Sequence, residues 1–283
     1  MSFRSGIPSS MPVIDDVNFK LFVDEADQNP KYGRGLDPSY KQPLIPGLAT
    51  TFTETIPRSE WNDRIQYMEE NRMRLPDLVD DLKSRGKWNG PRVLNQSQTN
   101  YCWINAPVHT IMLTRAKQGE LYIPLSPASV GAKIKNFRNV GGWGSEGLKY
   151  IRERGVVPQS LWPANAIDRR YDNEESDRAR SHFKCHEWYT LRPRNFDQLA
   201  SCLLQNIPVA IGLNWWGHEV TAVALLRTGE NEYAILIDNS WGENWGDKGR
   251  GVLAGTKMLP DDAVAPRVVT ASSFSQRDHK LWS

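Results

Sequence analysis

Cysteine is the scarcest informative residue in this chain: there are only Cys102, Cys185 and Cys202 among 283 residues. Three cysteines cannot build the dense disulfide framework of a small secreted domain. An excess of either charge is also missing, because Lys+Arg 35 stands against Asp+Glu 33. That balance leaves no electrostatic footprint for nucleic acid or a membrane surface, and we expect neither as a partner. No apolar run approaches the roughly 20 residues of a membrane span, and Met1-Ser2-Phe3-Arg4-Ser5-Gly6 carries no apolar signal core. The expectation is a chain not secreted by a classical signal peptide, residing in the cytoplasm or within an assembled particle. Internal repeats and low-complexity tracts are absent.

What is present is an ordered set of reactive side chains. Cys102 opens the apolar run Trp103-Ile104-Asn105-Ala106-Pro107-Val108 and on through Ile111-Met112-Leu113, which reads as a buried helix. A cysteine at a helix N-terminus faces unpaired N–H groups and the positive end of the dipole, which favour thiolate. Gln96 stands six residues before it, so its amide can reach back toward the sulfur. His218 precedes the strand-like Val220-Thr221-Ala222-Val223-Ala224-Leu225-Leu226, and Asn239 ends the strand-like run from Tyr233 to Asp238. Each residue has a plainer reading as well. A cysteine before an apolar helix is commonly a buried small hydrophobe, and Asn239 could serve a turn. His109, His182, His186 and His279 have no reactive context, and His109, seven residues into the helix, reads as structural.

The elements Gln96, Cys102-Trp103, His218 and Asn239-Ser240-Trp241-Gly242 resemble the papain-like cysteine peptidases, as do Gly141-Gly142-Trp143 and Glu243-Asn244-Trp245-Gly246-Asp247-Lys248-Gly249. The resemblance covers residues 90 to 255 and implies an α+β, two-lobe fold: a helical lobe, an antiparallel β lobe and a cleft between them. It implies Cys102 as nucleophile, His218 as proton carrier, Asn239 as the orienting amide and Gln96 as an oxyanion donor, without metal or cofactor. It also implies a thiol pKa depressed by the neighbouring histidine, as in papain itself. Gly141 and Gly142 would bond an extended peptide, Trp143 would wall the pocket for the side chain two residues before the cut, and Trp241 would shield the Asn–His bond. Trp216 and Glu219 flank His218, which suggests a mixed aromatic and acidic pocket with mild acceptance of a basic residue. Thr99 stands where most relatives carry a paired cysteine, and with Cys102 as nucleophile the one bridge possible is Cys185–Cys202. Both are expected as free thiols, and the loss of the family's disulfides points to a reducing compartment. Pro107 removes a backbone bond inside the helix and could kink its first turns.

The organisation expected is an arm over residues 1–88, a peptidase domain over 89–258 and a polar tail over 259–283. Seven of the 18 prolines fall within the first 57 residues, which predicts extended or irregular chain there. Two helices should follow, one capped by Ser59 with Trp61, Ile65 and Met68 on one face, the other starting at Asp77. Glu60, Arg64 and Asn71 partly echo the helical signature of inhibitory pro-segments, but Pro76 interrupts it, and coincidence is the favoured reading. The arm would either cover the cleft or dock onto neighbouring subunits of a larger assembly, such as a viral or phage particle, through residues 1–57. Strands are expected over Pro208–Leu213, Glu219–Leu226 and Tyr233–Asp238, and a helix from Gly144 to Ile151 ended by Gly155. The function expected is peptide-bond hydrolysis of a protein or peptide substrate. The alternatives are a Cys-His hydrolase acting on cell-wall peptide and a structural or docking module.

Overall fold

A computed structural model describes residues 7–38, 49–52 and 54–269. Its elements in chain order are β1 (Val13–Ile14), α1 (Phe19–Gln28), β2 (Ala49–Thr51), α2 (Trp61–Glu70), α3 (Leu75–Ser84), α4 (Cys102–Lys117), α5 (Ala128–Ile134), α6 (Gly144–Glu153), α7 (Glu174–Arg180), β3 (Cys185–Thr190), α8 (Phe196–Leu203), β4 (Val209–Leu213), β5 (His218–Gly229), β6 (Glu232–Asp238), β7 (Arg250–Leu253) and β8 (Asp262–Val269). The strands form one sheet in the order β1-β7-β6-β5-β4-β8-β3-β2. Its interior pairs are antiparallel. The two edges, β1 on β7 and β2 on β3, are parallel.

Both faces of the sheet are covered, so its strands read as continuous apolar runs rather than strict alternation. Ala210, Ala224, Leu236 and Val264 pack with α4 and the helices around it. Ile211, Ala222, Ile237 and Ala263 pack with α1, α2 and α8 on the opposite side. A register shift between Ala222 and Ala224 lets Val223 and Ala224 face the same core. Helix α4 is buried on all sides from Cys102 to Ala116, which matches its lack of a polar face. It runs unbroken through Pro107, and the Thr110 hydroxyl donates to the Pro107 carbonyl.

Several expectations need correction. The first 57 residues are not irregular throughout: they contain α1 and both edge strands of the sheet. The signal for α1 was Phe19, Phe22, Val23 and Ala26, at helical spacing, of which Ala26 is buried. Ser59 caps nothing; it lies in a 3-10 turn before α2. Helix α3 starts at Leu75, two residues before the expected Asp77, and takes in Pro76, since a first-turn proline lacks only an N–H that has no helical partner. The folded domain does not end at 258, because β8 lies between β4 and β3 in the middle of the sheet. Polar Asp261 and Asp262 hid its apolar continuation through Val264 and Ala265. The last residues of the expected tail, 270–283, lie outside the described residues.

Cys185 and Cys202 are both free and buried, on β3 and α8. No helix among the described residues is long and apolar enough to cross a membrane. Among them, no group of three or more His, Cys, Asp or Glu side chains converges as metal ligands would.

Candidate active site

Cys102 is the first residue of α4, with Tyr101 as its N-cap. His218 opens β5, where it pairs with Leu213 of β4, and Asn239 follows the last residue of β6. Neighbouring strands therefore bring His218 and Asn239 together: the imidazole Nε2 lies 2.8 Å from Asn239 Oδ1. Asn239 Oδ1 also accepts from the Ser240 N–H at 2.8 Å, which fixes the amide's orientation. His218 Nδ1 is buried and has no hydrogen-bond partner among the described residues. The imidazole stacks on Trp241, ring centres 4.6 Å apart, and meets Trp216 edge-on at 5.2 Å. Trp216, Trp241 and Trp245 make an aromatic shell behind the ring that keeps water from the Asn–His bond.

Gln96 is fully buried. Its backbone N–H donates to the Ser240 carbonyl at 2.8 Å, and its side-chain oxygen accepts from the Ser240 hydroxyl. Held at its oxygen end, the amide aims its N–H₂ group outward. Nε2 donates to the Thr99 carbonyl and to the Gly33 carbonyl, both at 2.8 Å. The Gly33 carbonyl also accepts from Trp241 Nε1 at 3.0 Å. The donor suited to an oxyanion is thus engaged by a carbonyl from the chain's own N-terminal region.

Residues 32–37 form a strap across this site. Tyr32 stacks on Trp241 at 4.5 Å. Arg34 donates to the Trp216 carbonyl at 2.9 Å and pairs with Asp27. The Gly35 N–H points at Cys102 Sγ, 3.1 Å away. The Leu36 N–H donates to the Gly217 carbonyl at 3.2 Å, and Leu36 bridges Gly142 in parallel register. The Gly142 N–H donates to Gly35 at 2.9 Å, and the Asp37 N–H donates to Gly142 at 3.2 Å. Leu36, Cys102 and Trp143 form one small buried cluster. The strap glycines are obligatory, since a Cβ at Gly33 would strike the Thr99 carbonyl and one at Gly35 the Asn100 carbonyl.

Burial is the largest influence on the charge state of the reactive pair. Burial pushes the Cys102 thiol up to about 12, and the nearby Glu219 carboxyl adds to the effect, while the N–H groups of Glu219, Gly35 and Trp103 oppose it. A helix N-terminus contributes about 0.3–1 kcal/mol, less than the roughly 4 kcal/mol equivalent of a rise from 9.0 to about 12. Burial also holds the His218 imidazole down at about 3, with Arg34 adding to it and the Asn239 bond opposing. Both shifts favour a neutral thiol and a neutral imidazole in the resting site, against the thiolate expected from helix position alone.

Of the remaining residues singled out in the sequence, Gly141 packs against Gly35 and Gly142 bonds to the strap. Trp143 touches Leu36, and Glu219 is buried beside Gly144. Trp216 lies in the aromatic shell behind His218 and presents only its carbonyl to the strap. Sequence reasoning missed Asp262, which joins Glu219 in the cleft, and the ion pair behind Asn239. There His109 Nε2 lies 2.9 Å from Asp238 Oδ2, and Arg250 donates to Asp238 Oδ1 at 3.1 Å. Burial alone would raise the Asp238 carboxyl, but Arg250 and His109 outweigh it and hold it below its ordinary value. The available signal was the position of His109, two helical turns from Cys102 and on the same face of α4.

No family model matches the chain. Among curated proteins it is similar to chymopapain of Carica papaya, with 23% identity over 258 residues, 81% of this chain and 70% of that protein. It also matches cathepsin O of Mus musculus at 25% identity, covering 65% of this chain and 66% of the relative. Cathepsin K of Mus musculus matches at 24%, covering 71% and 66%. The chain thus spans about two thirds of the length of these relatives. Among solved structures, xylellain, a cysteine protease from Xylella fastidiosa, superposes with a TM-score of 0.59 at 18% identity, covering 84% of this chain and 97% of that one. Procathepsin L 3 from Tenebrio molitor larval midgut gives 0.56 at 16% identity, covering 88% and 79%. These structural likenesses establish the α+β fold, with its helical part and antiparallel sheet.

Proposed function

We propose that this chain, which has the fold and the sequence signature of the papain-like cysteine peptidases, hydrolyses peptide bonds and rests in a self-blocked form. The observation that supports the reading is that one short segment, residues 33–36, bonds to Cys102 Sγ, to the Gln96 amide and to Gly217, next to the Asn239-bonded His218. A structural module has no use for an imidazole whose Nε2 is held by an amide while Nδ1 is left unpartnered. In the open form Cys102 would pass its proton to His218 Nδ1, and the thiolate would attack the substrate carbonyl carbon. Gln96 Nε2 and the Cys102 N–H would receive the oxyanion. His218 would protonate the leaving amine as the C–N bond breaks. Water, deprotonated by His218, would then release the acid and restore the thiol.

Self-blocking is supported by the strap, which takes the Gln96 donor with one carbonyl and the sulfur with one N–H. The described residues of the arm bind surfaces of their own chain, so holding them requires no neighbouring subunit. The test is labelling of the full chain with a thiol-directed peptidyl epoxide, alongside hydrolysis of a mixed peptide library. Labelling of Cys102 but not of Cys185 or Cys202, with hydrolysis abolished in Cys102→Ser, is the expected outcome. A folded chain that neither labels nor cleaves after the strap is loosened would sink the reading. Hydrolysis of cell-wall peptide with no cleavage of protein would favour the alternative substrate.

A further inference from the structure

The space that Leu36 fills in the resting site is lined by something an apolar side chain does not need. Gly212 of β4 lies directly between Glu219 of β5 and Asp262 of β8, paired in register with both. Directly paired residues of an antiparallel sheet project from the same face, so the two carboxyls flank the gap that glycine leaves. Leu36 occupies this gap: its methyl carbons come within 3.3 and 3.4 Å of where a Gly212 Cβ would stand, and Asp262 Cβ within 3.5 Å. Both carboxyls are buried, Glu219 completely and Asp262 to within 3%. Neither Glu219 oxygen has a hydrogen-bond partner of good geometry, although the Gly144 N–H lies close by; Asp262 Oδ2 has none either. Among the described residues no ion pair reaches either side chain, and the adjacent Asp261 is the carboxylate that pairs with Arg194.

Two adjacent unpaired carboxyls cost several kcal/mol to bury if ionised. Neutral, they still leave three of their four oxygens without the hydrogen bonds that buried polar groups almost always make, while the Ala263 N–H serves Asp262. A lysine or arginine side chain entering the gap would supply the missing charge and donors together. The gap adjoins Cys102 and Trp143, so a substrate side chain in it belongs to a residue close to the cut bond.

We propose that the Leu36 pocket is a cation-accepting specificity pocket, in which Glu219 and Asp262 select lysine or arginine two residues before the scissile bond. The selection of substrate rests on the peptidase reading above; the pocket's preference for a cation does not.

The preference can therefore be tested inside the full chain, without turnover, by Leu36→Lys and Leu36→Gln. A buried leucine replaced by lysine ordinarily opens or unfolds its site. Here Leu36→Lys is expected to keep the strap closed, with Cys102 alkylated within threefold of the parent rate, while Leu36→Gln is alkylated at least tenfold faster. In an Asp262→Asn background Leu36→Lys should lose that advantage and be alkylated at least tenfold faster than its own Leu36 parent. Equal opening by lysine and glutamine, whether or not Asp262 is present, overturns the proposal.

The second arm compares peptides carrying lysine, arginine or norleucine two residues before the cut, on a chain with a loosened strap. A kcat/KM ratio of lysine to norleucine of at least ten, falling below three in Asp262→Asn, is expected. Norleucine preferred with and without Asp262 overturns the proposal. Cleavage of no peptide, with the Leu36→Lys result intact, overturns the peptidase reading and leaves the cation pocket standing.

Discussion

Cys102, His218 and Asp262 are each displaced from their ordinary titration range first by burial, and the His218 and Asp262 shifts act on the closed form with opposite pH dependence. His218 is held at about 3 against an ordinary 6.5, so its contribution to the closed form is present above 6.5 and lost as pH falls toward 3. Asp262 is pushed up to about 7 from 3.8, so its contribution is present below 3.8 and lost as pH rises through 7. Glu219, raised well above its ordinary value by burial and by Asp262, adds to the second trend. Arg34 faces His218 and Glu219 faces Cys102, so both trends belong to this cluster. Asp262→Asn removes one side of the balance. Its unfolding free energy should match the parent at pH 4 and exceed it by up to roughly 4 kcal/mol at pH 7.5, read by urea denaturation across that range. A difference independent of pH would mean that Asp262 is not protonated in the closed form. Gln96, Cys102, His218 and Asn239 were all legible in the sequence because each carries local context. Asp262 was not, because it becomes interesting only when β8 sets it one strand away from Gly212.

At the scale of elements, the strap closes the site through backbone groups, and its two glycines decide how closely it can approach. Gly35→Ala sets a methyl group against the Asn100 carbonyl and should lift the N–H away from the sulfur. The expected result is alkylation of Cys102 at least tenfold faster, with the unfolding midpoint changed by less than about 5 °C, since the clash lies in a surface segment. An unchanged rate would show that the strap does not control access. The prolines of the first 57 residues predicted irregular chain, and residues 32–37 within them are irregular. What composition could not reveal is that an irregular segment finds its hydrogen bonds on Gly142 and Gly217. Helix α1 was legible through Phe19, Phe22, Val23 and Ala26 but was masked by the prolines around it. The strands β4, β5 and β6 were legible to within three residues because their central stretches are buried on both faces.

At the scale of the molecule, the arm is woven into the sheet it guards. It supplies β1 at one edge and β2 at the other, and α1 packs against the same core as α2 and α8. Unpaired edges invite association with other chains. Deletion of residues 1–52 should therefore lower the unfolding midpoint by more than about 5 °C and promote oligomers, seen by light scattering. Gly35→Ala should open the site with neither effect. A truncated chain that is monomeric and as stable as the parent would instead assign the arm to a removable segment. On the present architecture, opening means displacing residues 32–37 between two anchored ends.

The order of the reactive residues, their local partners and the absence of disulfides were properties of the sequence alone, because each depends on neighbours a few positions away. The tertiary structure decided the rest: that burial favours a neutral thiol and imidazole at rest, that Gly33 and Gly35 lie on the site, and that Glu219 meets Asp262 across Gly212. Protonation and access depend on what excludes water from a group. Here that includes a segment more than sixty residues away from Cys102 in the chain, brought to it only by folding.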